Sequence, residues 1–233
     1  RAAGDLRTDL LKMQRDFYKN AAQEAANSGL KAYVFSAPDD PQRLQHFLQI
    51  LNRHQINVHA LKQKVSTSKN GDYQPQNAYI VPTDQQQYRL IRAIFETGTS
   101  FKDSLFYDVS SWTLPLAFNL KYDELRGSTF TPNLLGTRIA ANESIGKFAV
   151  PAVSNYAYLL NWSDYYAPQA LYQLQKAGLR LKVSPSEFSS GGRDFTRGTI
   201  IINVQNQDKT AAEVQQIIGE AAKNSKSLCK CIK

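Results

Sequence analysis

The chain has 233 residues, with 28 Lys and Arg against 20 Asp and Glu, a formal charge of +8, and 42% of its residues are apolar. That apolar share can build a core and, with charges of both signs intermixed, excludes wholesale disorder. The length fits one large domain or two small ones, and no run approaches the roughly 20 apolar residues that span a bilayer.

The chain starts Arg1-Ala2-Ala3-Gly4, with neither an initiator Met nor an apolar leader segment. This fits either a removed targeting segment or an excised piece of a longer chain. Leu6, Leu10, Met13, Phe17 and Ala21 then recur every three or four residues, which predicts an α-helix over 5–26, closed by Asn27-Ser28-Gly29. Ala32 to Ser36 reads as a buried strand. Asp39-Asp40-Pro41 supplies an acidic cap and an early proline for a helix whose Leu44, Phe47, Leu48 and Leu51 face a core. Ile56 to Leu61 is a second strand and Ala78 to Pro82 a third. Between them lies the polar stretch around Asn70-Gly71-Asp72, and Asp84 is placed to cap a helix bearing Tyr88, Ile91 and Phe95.

The same order recurs after residue 148. A strand over 156–160 precedes a helix with Pro168, Leu171 and Leu174, which Gly178 closes. The strand 179–183, the Ser189-Ser190-Gly191-Gly192 loop and the strand 199–204 follow. Thr210 and Glu213 form a capping box before Val214, Ile217, Ile218 and Ala221. Pro41-Gln42-Arg43-Leu44 matches Pro168-Gln169-Ala170-Leu171, so the chain reads as one unit used twice, or as two ordinary βαβ units that resemble each other by chance. Either way the expected fold class is α/β, with mostly parallel sheets, flanking helices and two similar βαβ-βα halves. The expected divisions are an N-terminal helix at 1–29, a first half at 30–105, an apolar connection at 106–147, a second half at 148–223 and a flexible tail at 224–233.

Few residues are placed for catalysis. His46, His54 and His59 do not share one helix face and no His-Glu-x-x-His occurs. Cys229 and Cys231 lie beyond the last helix, too close together for a relaxed disulfide and only half of a zinc site. Gly-x-Ser-x-Gly is absent. No catalytic residue, metal ligand or cofactor is therefore assigned within the chain. Open α/β sheets bind ligands at strand-to-helix turns, which makes Ser36, Asp39, Asn161 and Asp164 candidate ligand-site residues for a small molecule or a peptide. Helix capping accounts for the aspartates without any ligand. The lysines at 223, 226, 230 and 233 read as a solvated tail rather than a nucleic-acid groove.

Between the halves stands Tyr107-Asp108-Val109-Ser110-Ser111-Trp112-Thr113-Leu114-Pro115-Leu116. It resembles the YDVTAWTLP signature found downstream of the catalytic domain in large bacterial zinc carboxypeptidases of the carboxypeptidase A-like class. Ile56-Asn57-Val58, Gly71-Asp72-Tyr73, Ala78-Tyr79-Ile80-Val81 and Gly198-Thr199-Ile200-Ile201 occur in that family's order. The resemblance implies a class I glutamine-amidotransferase-like layer lacking that enzyme's nucleophile, in a secreted or periplasmic setting. It also implies that the zinc and the hydrolase activity belong to a preceding peptidase domain of the parent, the expected partner. None of that domain's motifs occurs here, so the chain is expected to be a non-catalytic accessory region that packs on or shapes access to the peptidase. Tyr107, Asp108, Trp112, Leu114 and Pro115 would form its docking or core segment, with Trp112 buried by internal packing.

Overall fold

The computed structural model describes residues 2–37, 40–97, 113–140, 151–225 and 229–232. The chain divides into two compact units, one of residues 1–38 and 44–144 and the other of 39–43 and 145–233.

The first unit begins with α1 (Ala2–Asp5) and α2 (Arg7–Asn27). The helix predicted over 5–26 is present, but its apolar stripe is no core face. Leu6, Leu10, Met13 and Phe17 are each about half exposed, and only Ala21 and Ala25 are buried, against Tyr88. Then come β1 (Leu30–Ser36), α3 (Pro41–Arg53), β2 (His59–Leu61), the hairpin β3 (Val65–Thr67) and β4 (Gly71–Tyr73), β5 (Ala78–Pro82) and α4 (Tyr88–Phe95). After these follow the one-turn helix α5 (Leu114–Ala117), β6 (Lys121–Arg126) and β7 (Leu135–Arg138). The main sheet has the order β6-β1-β5-β2-β7.

The second unit carries β8 (Ala157–Leu160), α6 (Ala167–Lys176), β9 (Lys182–Val183), the hairpin β10 (Phe188–Ser190) and β11 (Arg193–Phe195), β12 (Ile200–Asn203), α7 (Ala211–Ser225) and β13 (Cys229–Ile232). Its sheet has the order β13-β8-β12-β9. The tail expected to be frayed therefore supplies a strand whose backbone pairs with β8 from Cys229↔Leu160 to Ile232↔Ala157.

These pairings overturn the expected parallel sheet and, with it, the amidotransferase-like layer. Among the described residues every strand pairing is antiparallel. The reason lies in the third strand of each unit. β1 and β2 run the same way, as a helical crossover requires, but β5 lies between them, antiparallel to both. β12 lies between β8 and β9 in the same manner. The result is a split βαβ arrangement in each unit, with the fourth strand beside the first and a small hairpin inserted between the second and third.

Sequence misleads here because Tyr33-Val34-Phe35 is apolar without alternation, a pattern common in parallel sheets. Such a run reports only that both faces are covered. Tyr33 and Phe35 meet the helices, with Phe35 5.2 Å from Phe47 and Tyr33 stacked 4.4 Å from Phe95, ring centre to ring centre. Ala32, Val34, Ala78 and Ile80 meet instead Val65 and Tyr73 of the hairpin, together with Leu125 and Leu134. In the second unit Tyr158, Leu160, Ile200 and Ile202 pack against Ala170 and Leu174 of α6 and Val214 and Ile218 of α7.

Candidate functional site

The residues singled out by sequence are used mainly by the backbone. Ser36 ends β1, buried and paired in register with Ala78 and Lys121. Asn161 Oδ1 accepts from the Ser163 amide at 3.3 Å and from Thr196 Oγ1 at 3.4 Å. Asp164 Oδ1 accepts from the Tyr166 amide at 3.0 Å, and its carbonyl accepts from the Ala167 amide at 3.0 Å. Both side chains shape the turn into α6. Asp40, the neighbour of Asp39, caps the Arg43 amide at 2.9 Å and accepts from the Tyr165 amide at 2.9 Å. Asp84 does not cap α4, whose N-cap is Gln87 without a side-chain bond. Ser36 and Asn161 belong to different units, so the structure gives each its own local role.

Pro115 is buried in the first turn of α5 and Leu114 is half-buried beside it. Thr113 before them is buried with a left-handed φ of 57°, and its hydroxyl donates to the Glu96 carbonyl. Leu114 and Pro115 therefore belong to the packing of the first unit. Asp39, Tyr107, Asp108 and Trp112, and the expected burial of Trp112, lie outside the described residues.

A cleft of about 500 Å³ lies elsewhere in the first unit, between the middle of β1, the end of α4, the β3–β4 turn and β6. Its lining includes Tyr33, Lys69, Arg92, Glu96, Asp123 and Glu124 and contains no histidine or cysteine. Each side chain is placed by its element. β1 carries Tyr33 under Phe95 of α4. Arg92 lies in the last turn of α4 and Glu96 is the extended residue that ends it, and β6 brings in Asp123 and Glu124.

Asp123 is buried yet saturated with donors. Its Oδ2 accepts from Thr67 Oγ1 at 2.6 Å and the Tyr73 hydroxyl at 2.8 Å, and its Oδ1 accepts from Asn70 Nδ2 at 3.0 Å. Burial and this carboxylate together push the Tyr73 phenol well above its ordinary range. Lys121 Nζ stands 4.5 Å over the Tyr73 ring, and Lys69 Nζ stands 5.1 Å over the ring of Tyr122. Arg126 pairs with Glu124 at 2.6 Å.

Two groups in the cleft wall are left over. Tyr33 is only 1% exposed, and its hydroxyl has no hydrogen-bond partner. Arg92 donates from Nη1 to the Tyr88 hydroxyl at 3.4 Å, but its buried Nε has no partner. Buried polar atoms are nearly always satisfied, so two orphans on one concave wall set this place apart from the rest of the unit. Burial, then the nearby Glu124 carboxylate, raises the Tyr33 pKa to about 12. The hydroxyl thus stays protonated at neutral pH and can both donate and accept.

Sequence reading missed this cleft because it assembles from elements far apart in the chain. The Lys121–Arg126 segment, four of whose six residues are charged, carries no obvious strand signal. The one available hint was Tyr33, a hydroxyl in a run that is otherwise apolar.

His59 Nδ1 is engaged with the Gly136 carbonyl at 3.0 Å. Among the described residues no group of three or more His, Cys, Asp and Glu could hold a metal ion, and no helix is long and apolar enough to cross a membrane. No protein-family model, curated protein or solved structure matches the chain.

Proposed function

We propose that the chain is a ligand-binding region without chemistry of its own, whose first unit holds a small polar molecule in the Tyr33–Arg92 cleft. The observation that carries this reading is the buried, unpartnered Tyr33 hydroxyl on the cleft wall. A bound molecule that completed its hydrogen bond, and that of Arg92 Nε, would recover the free energy lost by burying them bare. A thermal-shift screen of the whole chain with amino acids, peptides, sugars and simple anions tests it, because a ligand that binds the folded state raises the melting temperature by mass action. A positive that disappears in Tyr33→Phe supports the cleft. A positive unchanged by that substitution places binding elsewhere and refutes it.

A second reading concerns the setting. The resemblance of residues 107–116 to zinc carboxypeptidases supports an accessory region beside a peptidase domain that carries the zinc, in a secreted or periplasmic parent. The half-exposed stripe Leu6, Leu10, Met13 and Phe17 on α2 favours it, because a continuous apolar face is what a neighbouring domain would cover. The chain alone, given zinc and a peptide, should release no C-terminal amino acid. Release would overturn the accessory role.

A further inference from the structure

The charges around the cleft narrow its ligand, and this step rests on the binding reading above. Lys69, Arg92 and Arg126 face Glu96, Asp123 and Glu124, three of each sign. Two of these are committed internally to an ion pair, Arg126 with Glu124 at 2.6 Å, and Asp123 is filled by its three donors. That leaves Lys69 and Arg92 on the cationic side and Glu96 on the anionic side, none with an ion-pair partner among the described residues. They flank a tyrosine hydroxyl free to donate or accept.

A bare anion drawn to Arg92 would also feel Glu96 and Glu124, and a bare cation drawn to Glu96 would meet Arg92 and Lys69. A molecule bearing both charges meets neither penalty. The stacked Tyr33 and Phe95 rings add an apolar wall, and about 500 Å³ is room for a ligand of one or two residues. We infer that the cleft takes a zwitterion, an α-amino acid or dipeptide with free ammonium and carboxylate groups. The carboxylate lies on Arg92 and the Tyr33 hydroxyl, and the ammonium on Glu96.

Calorimetric titration of the full chain tests this with L-leucine, L-phenylalanine and Ala-Ala, each beside its N-acetyl and its amide form. Blocking either end should weaken binding by about tenfold, because a hydrogen bond between two charged groups, at Arg92 or at Glu96, is lost. Arg92→Gln should weaken every free form by a similar factor, and Tyr33→Phe, which keeps the ring, should weaken them without unfolding the chain. In Glu96→Gln, which lies on an exposed position, the preference for a free ammonium over an N-acetyl group should vanish. If N-acetyl forms bind as tightly as free ones and Tyr33→Phe still weakens them, the ligand is a simple carboxylate. The zwitterion inference then falls while the binding reading stands. If neither these compounds nor phosphate, citrate and sugars bind at millimolar concentration, both fall.

Discussion

Asp123 and Tyr33 show opposite ways of burying a polar group. Asp123 is stable in the interior because three donors converge on it, and an amide in its place would turn an NH2 group toward at least one of them. Asp123→Asn should therefore cost about 2 to 3 kcal/mol in urea unfolding, the range for losing hydrogen bonds to a charged group. An unchanged midpoint would show that the donors relax to water. Tyr33 has nothing to lose in the absence of a ligand, so Tyr33→Phe should leave stability at neutral pH unchanged or slightly raised. The two forms part in alkali. The pKa of Tyr33 rises on folding from 10.0 to about 12, so the folded state holds the proton more tightly. Its contribution is complete below pH 10 and is lost as pH rises toward 12, amounting to about 2 to 3 kcal/mol for such a shift. Urea midpoints measured between pH 9 and 11.5 should fall less steeply for Tyr33→Phe than for the parent. Tyr73, raised in the same direction, leaves some slope in both. Parallel curves would contradict the assignment.

At the scale of elements, much of the local grammar was legible. Thr210 and Glu213 form the reciprocal cap expected of them, the Thr210 amide donating to Glu213 Oε2 at 2.7 Å and the Glu213 amide to Thr210 Oγ1 at 3.3 Å. Gly178 ends α6 at φ 78°, and Gly191 and Gly192, at φ 58° and 71°, make the tight turn between β10 and β11. Pairing direction was not legible, since the apolar run of β1 records coverage of two faces and says nothing about its neighbours. The short hairpin β3–β4 was hidden too, because its Ser66, Thr67, Asn70 and Asp72 read as loop until Thr67 and Asn70 are seen bonded to Asp123. Gly136 on β7 gives a test of the sheet edge. A Cβ there would stand 2.7 Å from the Ala60 carbonyl oxygen, a backbone atom that cannot swing aside. Gly136→Ala should push β7 from β2, break the His59–Gly136 contact and cost about 1 to 3 kcal/mol, the usual toll of overpacking. Amide exchange at Leu61 and Lys62 should quicken, and unaltered exchange there would argue that the edge adapts.

At the scale of the molecule, the succession of strands and helices was visible in the chain because the longer core helices announce themselves by the period of their apolar residues. The cleft was invisible because it joins Tyr33 to Glu124 across most of the first unit. What the structure adds is that each unit closes a core of its own. Leu174 is fully buried among Tyr158, Ala170, Ile202 and Ile218, all within the second unit. Ile91 is equally buried in the first, on the helix that holds Arg92. Truncating either leucine or isoleucine to alanine removes apolar contacts and leaves a cavity, a change worth about 2 to 5 kcal/mol. Because neither residue appears in the other's core, each loss should be read first by its own sheet. Native-state hydrogen exchange can follow the two separately, since cooperative units open with their own free energies. Leu174→Ala should lower protection at Tyr158, Leu159 and Ile202 far more than at Val34 and Ile80, and Ile91→Ala should do the reverse. Equal losses in both sets, from either substitution, would show that the two cores melt as one.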